Sequence, residues 1–267
     1  MSTTFLDPYI PFESAVHRLD ARVKLPLALV FILVTAFTPH GAWAAYLLLW
    51  AILLAAVTLS ELGITLVVKR ALLALPFMLA ALPVLFTMQG TPLFSFSVGA
   101  VDLSVSQAGV ERFLSIALKS WISVQCAVLL AASTQITDLL KAMRTIHIPR
   151  LLVAIVGLMY RYLYVMVAEV QRLLTARTAR SSESGHTDLK TGGSLRWRAS
   201  VTGGMAGNLL LRSFERSDRV YSAMLARGYD GEVRSYPQPG LSPQSKLVLA
   251  FGLAVLFLIL LLALLIG

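Results

Sequence analysis

Two arginines, each flanked by small residues, are the side chains of this chain that are best suited to bind a group on another protein. The first lies in Ala179-Arg180-Ser181 and the second in Ala226-Arg227-Gly228. A guanidinium can donate forked hydrogen bonds to a carboxylate or to carbonyls, and small neighbours leave room for it to enter a groove. The two triplets therefore predict contacts with another protein. The spacing alone leaves a second interpretation equally open for Arg227, which is a purely structural partnership with the helix dipole.

Other patterns that carry chemistry are missing from the sequence. It has no Gly-x-x-x-x-Gly-Lys phosphate loop, no paired-acid metal motif and no His-Glu-x-x-His motif. The four histidines are dispersed and have no ligand spacing with acids or with the single cysteine, Cys126; they are His17, His40, His147 and His186. We therefore expect no catalytic residue, no metal site and no cofactor in this chain.

The composition indicates a polytopic membrane protein. Hydrophobic residues make up 57% of the chain and charged residues only 14%, and the mean hydropathy is +0.75, all far from the values of soluble domains. The net charge of +9 is typical of the cytoplasmic basic excess that orients membrane proteins. We therefore expect attraction to anionic membrane lipid and no nucleic-acid partner.

Hydrophobic runs predict five transmembrane helices, with six possible. The five runs cover residues 23–38, 42–60, 71–88, 113–132 and 247–266. The fourth contains Lys119, for which we expect a structural role, through snorkelling or through pairing with Glu111. A sixth run, 151–170, is interrupted by Arg161. Its crossing would export the segment 171–244 with its 11 Lys and Arg residues, against the positive-inside rule.

These runs predict an all-α membrane protein with a cytoplasmic N-terminus. Residues 1–133 would form an N-terminal segment and four spans, 134–245 a cytoplasmic module of amphipathic helices, and 246–267 the final span. The Ser- and Gly-rich stretch 182–194 is interpreted as a flexible linker within that module. Prolines at 26, 76 and 83 fall inside predicted spans, where they indicate kinks.

The last helix of the module, predicted over 195–227, has two faces. Leu210, Phe214, Tyr221 and Leu225 share one side, and Arg212, Arg216, Arg219 and Arg227 share the other. Gly228 fits the position after a helix C-terminus, where a left-handed backbone is needed. In the preceding helix, Arg180 points away from an apolar stripe of Leu163, Val167, Val170 and Leu174. The spacing of Gly203 and Gly207 favours close helix packing.

At these residues the chain resembles the transmembrane T component of energy-coupling-factor (ECF) transporters, especially the cobalt type called CbiQ. The resemblance covers essentially the whole chain. It is carried by His17-Arg-Leu-Asp-Ala-Arg-Val-Lys24 and by the longer motif Arg219-Val-Tyr-Ser-Ala-Met-Leu-Ala-Arg-Gly-Tyr-Asp-Gly231. Ser181 departs from the family pattern, which has glycine after the first arginine.

The resemblance implies a non-catalytic coupling subunit of an ATP-driven importer in the bacterial cytoplasmic membrane. Two ATPase subunits would bind the ATP, and each would receive one of the coupling motifs, with Arg212, Arg216 and Arg219 as a supporting basic face. Their motion would pass to a CbiM-like substrate-binding membrane subunit, with or without a small CbiN-like subunit, for cobalt or nickel uptake. The apolar faces of the two long coupling helices would pack on each other and on the spans. The alternatives are a self-sufficient metal-ion permease and the T component of a vitamin importer.

Overall fold

The computed structural model describes residues 8–88, 92–98, 101–146, 148–180, 194–231 and 240–266. The chain divides into two units, Met1–His147 with Gln238–Gly267, and Ile148–Pro237. Residues 182–193 of the predicted linker lie outside the described residues.

The elements of the first unit precede and follow those of the second. In chain order they are α1 Ala15–Arg18, α2 Ala21–Phe37, α3 Trp43–Leu59, α4 Ile64–Ala71, α5 Leu75–Leu79, α6 Val84–Thr87, β1 Pro92–Val98, β2 Val101–Ser106, α7 Gln107–Ser133, α8 Ile136–Thr145, α9 Arg150–Arg180, α10 Leu195–Ala226 and α11 Pro243–Ile266. Helices α9 and α10 form the second unit, and α11 belongs to the first.

The predicted fold class, a helical membrane protein, is confirmed. Within the described residues, α7, α9 and α11 are long and apolar enough to cross a membrane, and α3 is a shorter apolar helix of 17 residues. Helix α9 contains the run 151–170, so its length and composition permit a crossing; the charge argument against a crossing stays a prediction. One antiparallel hairpin, β1 with β2, adds a small strand element before α7.

The predicted span 71–88 is not one helix, and this expectation was wrong. The chain passes from α4 into a 3₁₀ turn at Leu72–Ala74, then through α5 and a turn into α6. Pro76 lies in the first turn of α5 and Pro83 precedes α6. Each proline lacks a backbone N–H, so Pro76 cannot make the helical bond to the Leu72 carbonyl and Pro83 cannot make the one to the Leu79 carbonyl. Two such losses seven positions apart divide the run. Pro26, by contrast, lies inside the unbroken α2.

The core of the first unit lies among α2, α3, α7 and α11. Its fully buried side chains include Tyr46, Leu49 and Ile122, and Ile259 of α11 packs with them. Several buried hydroxyls are satisfied within their own helices; for example, Thr35 donates to the Phe31 carbonyl at 2.8 Å. Local bonds of this kind let polar side chains lie inside an apolar bundle without an unmet donor.

Helices α2 and α7 run antiparallel, and each is capped by a lysine of the other. Lys24, in the first turn of α2, donates from Nζ to the Ser133 carbonyl at the end of α7, at 2.9 Å. Lys119 of α7 donates to the Ala36 carbonyl near the end of α2, at 3.1 Å. The last carbonyls of a helix lack intrahelical donors and carry the negative end of its dipole, which an ammonium group stabilises. Lys119 therefore has a structural partner, and that partner is Ala36 of α2.

Helix α8 lies in the first unit, against α2. Ala142 is buried there with Ala21 and Leu25. From the sequence, this helix was expected to belong to the cytoplasmic module 134–245. The boundaries of that module stay a prediction.

Candidate functional site

Helix α10 ends in a glycine cap that exposes Arg227. Gly228 has φ +77°, its N–H donates to the Leu225 carbonyl at 2.9 Å, and the Tyr229 N–H reaches back to Met224 at 3.0 Å. This pair of bonds is the Schellman arrangement, which requires a left-handed residue after the helix and favours glycine there. The predicted role of Gly228 is confirmed, and the cap fixes the backbone from which the exposed side chain of Arg227 projects.

Helix α9 ends at the other predicted arginine. Arg180 is its last residue, and both Ala179 and Arg180 are exposed. Ser181 lies outside the described residues. Arg177, one turn earlier, turns inward to α10 and donates to Thr202 Oγ1 at 3.0 Å. The end of α9 thus has one arginine that contacts α10 and one, Arg180, with an exposed side chain.

Contacts along α9 and α10 show that the two helices are antiparallel. The start of α10 meets the end of α9 through Arg177 and Thr202. Leu158, near the start of α9, lines the same cavity of about 330 Å³ as Met224, near the end of α10. At 1.5 Å of rise per residue, α9 covers about 33 Å between Leu158 and Arg180. Arg180 and Arg227 therefore lie at opposite ends of the helix pair.

Two of the predicted supporting arginines contact one acid of α9. Arg212 and Arg216 both contact Glu169, at 3.3 Å and 3.5 Å. The Glu169 side chain is only 20% exposed, but the Arg212 side chain is still 54% exposed, and Arg219 is exposed as well. Such partly exposed ion pairs contribute a few tenths to about 1 kcal/mol each, so they serve mainly to set the register of α9 on α10. The contribution of these arginines to a partner contact stays a prediction.

The apolar stripe of α10 is not covered by α9, contrary to expectation. Leu210 is 58% exposed and Phe214 62% exposed. The side of α10 that faces α9 carries Thr202, Ser213 and Arg216 instead. Among the described residues, nothing lies within 4 Å of a Cβ built at Gly203 or Gly207, so no described helix of this chain makes the close packing predicted from their spacing. Apolar side chains such as Leu158, Met166 and Met224 line the cavity between the two helices, beside these polar contacts, and the stripe of Leu210 and Phe214 lies on another side of α10.

The N-terminal motif 17–24 lies against the residues that precede it and against the end of α7. The Ile10 N–H donates to the Ala132 carbonyl at 3.0 Å, and Lys24 caps the adjacent Ser133. His17 contacts Ser14 Oγ through Nδ1 at 2.7 Å and the Ile10 carbonyl through Nε2 at 3.2 Å. Burial and the nearby charge of Lys24 lower the pKa of His17 below its ordinary 6.5, which favours the neutral ring.

No structural role was predicted for Lys24 from the sequence. A signal was present, because a lysine in the first turn opposes the dipole of its own helix. Such a lysine indicates a partner elsewhere, and the structure supplies it at the end of α7. Within the described ranges, no group of three or more His, Cys, Asp or Glu side chains is placed to hold a metal ion.

Known proteins resemble this chain over most of its length. The family model described as cobalt transport protein, CbiQ, matches residues 12–238. An energy-coupling factor transporter transmembrane protein, EcfT, of Lacticaseibacillus paracasei is 27% identical over 86% of this chain and 87% of its own length. The cobalt transport protein CbiQ of Rhodobacter capsulatus is 28% identical over 70% of this chain and 73% of its own.

An uncharacterized protein of Methanocaldococcus jannaschii is also similar, with 23% identity over 86% of this chain and 76% of its own length. The family match includes the N-terminal motif, both predicted coupling motifs and all of α9 and α10. The chain therefore belongs to the CbiQ family of cobalt transport proteins, the multi-pass T components of ECF-type transport that its motifs resemble.

Proposed function

We propose that this chain couples ATP hydrolysis by two partner ATPase subunits to uptake through a separate substrate-binding membrane subunit. Arg180 enters a groove on one ATPase and Arg227 a groove on the other. The chain carries the resulting motion, and the ATP lies entirely on its partners.

The observation that carries this proposal is the placement of the two arginines at opposite ends of α9 and α10. Antiparallel helices with about 33 Å between the level of Met224 and Arg180 present two separate guanidinium groups, which suits two subunits better than one binding site. The glycine cap at Gly228 holds Arg227 at a defined position, and an arginine so placed can make forked bonds to carboxylates or carbonyls.

The test is the double charge reversal Arg180→Glu/Arg227→Glu in a cell that carries the whole transport system. We expect radiolabelled cobalt uptake to fall at least about tenfold, since like charges juxtaposed at an interface cost several kcal/mol. Co-purification of the ATPase subunits should fall in parallel, while the amount of the chain in the membrane stays unchanged.

Arg172→Glu is the matched control. Arg172 is an exposed arginine of the same α9, eight positions before Arg180, and its reversal should leave uptake near the wild-type rate. Normal uptake by a stably assembled Arg180→Glu/Arg227→Glu variant would contradict the docking proposal.

For the substrate we propose cobalt or nickel. The family description and the relative from Rhodobacter capsulatus name cobalt transport, whereas relatives named EcfT carry no substrate in their name. Uptake of labelled cobalt with nickel and a vitamin as competitors separates the cases. Competition by nickel alone supports a metal importer, and vitamin uptake that depends on this chain would support the vitamin system instead.

A self-sufficient permease is the competing function. Ionisable side chains inside spans often mark ion pathways, but Lys119 donates to the Ala36 carbonyl and thus has a structural partner. The chain reconstituted alone in liposomes should not transport cobalt, and transport there would favour the permease.

A further inference from the structure

A polar cleft lies where α2 begins and α8 approaches it. It has a volume of about 420 Å³ and is lined by His17, Arg18, Arg22, Asp138 and Lys141, among others. The first turn of α2 and the last turn of α7 meet at this level, as the bond between Lys24 and Ser133 shows. The cleft thus lies at the boundary where two apolar helices of the bundle begin and end.

An apolar groove continues from this level along the bundle. It has a volume of about 370 Å³ and is lined by side chains of α2, α3, α7 and α11, including Leu27, Phe31, Ile52, Phe251 and Val255. Leu19, Lys24 and Ser133 line its end, and the same three residues line a small polar cavity shared with the cleft residues His17 and Asp138. The groove and the cleft therefore form one continuous surface, apolar along the helices and charged at the boundary.

The charged end carries more cations than acids. Arg18, Arg22, Lys24 and Lys141 line it together with Asp20 and Asp138, an excess of two positive charges. Arg22 is held by Asp20 at 3.1 Å, and Lys24 caps α7. Arg18 is paired with Glu13 at 3.8 Å and Lys141 with Asp138 at 2.7 Å. The two cationic side chains are nevertheless 74% and 53% exposed, and because exposed ion pairs are weak, both can turn toward an anion in the cleft.

We propose that this surface binds one anionic phospholipid, with an acyl chain in the groove and the phosphate between Arg18 and Lys141. Basic pockets between transmembrane helices at the membrane surface recognise anionic headgroups, and the apolar exposed surface of the groove suits an acyl chain. The bound lipid brings α2, α7, α8 and α11 together at the level where α8 leaves the bundle.

Native mass spectrometry of the full-length chain in detergent tests the proposal, with dioleoylphosphatidylglycerol and dioleoylphosphatidylcholine as probes. We expect one phosphatidylglycerol to be retained, at least about fivefold more tightly than phosphatidylcholine. Arg18→Gln/Lys141→Gln should weaken phosphatidylglycerol binding about 25-fold, the product of about fivefold per surface cation. Both side chains are exposed, so this variant should fold normally.

Two matched controls complete the design. Lys246→Gln removes an exposed cation at the start of α11 and should change phosphatidylglycerol affinity less than twofold. Ala56→Phe fills the groove and should abolish retention of the lipid, whereas Ala51→Phe, on an exposed face of the same helix, should not. Equal retention of the two lipids, unchanged affinity in Arg18→Gln/Lys141→Gln, or a photoreactive acyl chain that cross-links outside the groove would each overturn the proposal. So would a cross-link from groove residues to a helix of another subunit in the assembled transporter.

Discussion

The two units of this chain differ in how far their apolar side chains are buried and in whether their charged side chains have partners within the unit. In the first unit, Leu49 is completely buried and the lysines of α2 and α7 cap each other's helices. In the second, α10 has no buried residue at all, and its apolar stripe and terminal arginine are exposed.

The second unit has the smaller core of its own. The first unit has a buried cluster around Leu49, although apolar side chains on its outer surface, such as Phe37 and Leu265, are exposed. Helices α9 and α10 meet around Glu169 and its two arginines and leave large apolar side chains such as Phe214 exposed. Exposed apolar patches mark interaction surfaces, and this patch lies on the helix that ends at Arg227.

The largest effect should come from matched leucine truncations in the two units. Leu49→Ala leaves a cavity in the first unit and should lower the free energy of unfolding by roughly 2–3 kcal/mol, the lower part of the range for buried leucines, because in lipid the packing term is lost but little transfer from water. Leu210→Ala removes a side chain that is 58% exposed and should cost under about 0.5 kcal/mol. Thermal unfolding in detergent measures both, and equal losses would remove the distinction between the units.

A smaller effect is expected from Lys119→Met, which tests the reciprocal caps. The Ala36 carbonyl loses a charged donor at the end of α2, and we expect a loss of about 1–2 kcal/mol in the same unfolding measurement. Lys69→Met removes a cation from an exposed position of α4 and should be nearly neutral. If Lys119→Met were as stable as the wild type, the cap would not contribute to the stability of the first unit.

The smallest stability effect concerns the cap of α10. Gly228→Ala places a Cβ on a residue with φ +77° and should cost about 1 kcal/mol locally. Hydrogen exchange at the Tyr229 amide, which donates to Met224 in the cap, should then accelerate about fivefold. Gly203→Ala, in the middle of the same helix with open space around it, should instead stabilise α10 by about 0.5–1 kcal/mol. Unchanged exchange in Gly228→Ala would show that the cap does not hold the end of α10.

Sequence patterns foresaw the features that depend on nearby residues. The apolar runs that became α3, α7 and α11 were found from hydropathy alone, and Gly228 was identified as a helix cap from its place after Arg227. Both kinds of inference rest on interactions within about one helical turn. The run 71–88 failed because two prolines outweighed its apolar composition.

The partners of charged side chains were not foreseen. Helical periodicity placed Arg212 and Arg216 on one face with Arg219, and Lys119 was expected to snorkel or to pair with Glu111 on its own helix. In the structure these side chains reach Glu169, 43 residues before Arg212, and Ala36, 83 residues before Lys119. A helical wheel gives the direction of a side chain but not the element that lies in that direction.

The class of the protein, a basic helical membrane protein with two small-flanked arginines at helix ends, and its family could both be derived from the sequence. Hydropathy, capping and motif identity are properties of contiguous residues and can be recognised without knowledge of the rest of the chain. The antiparallel packing of α9 and α10, which separates Arg180 from Arg227, and the mutual capping of α2 and α7 are visible in the folded chain alone. Such arrangements depend on which surfaces meet, and many distant pairs of residues compete for each contact until the whole unit packs.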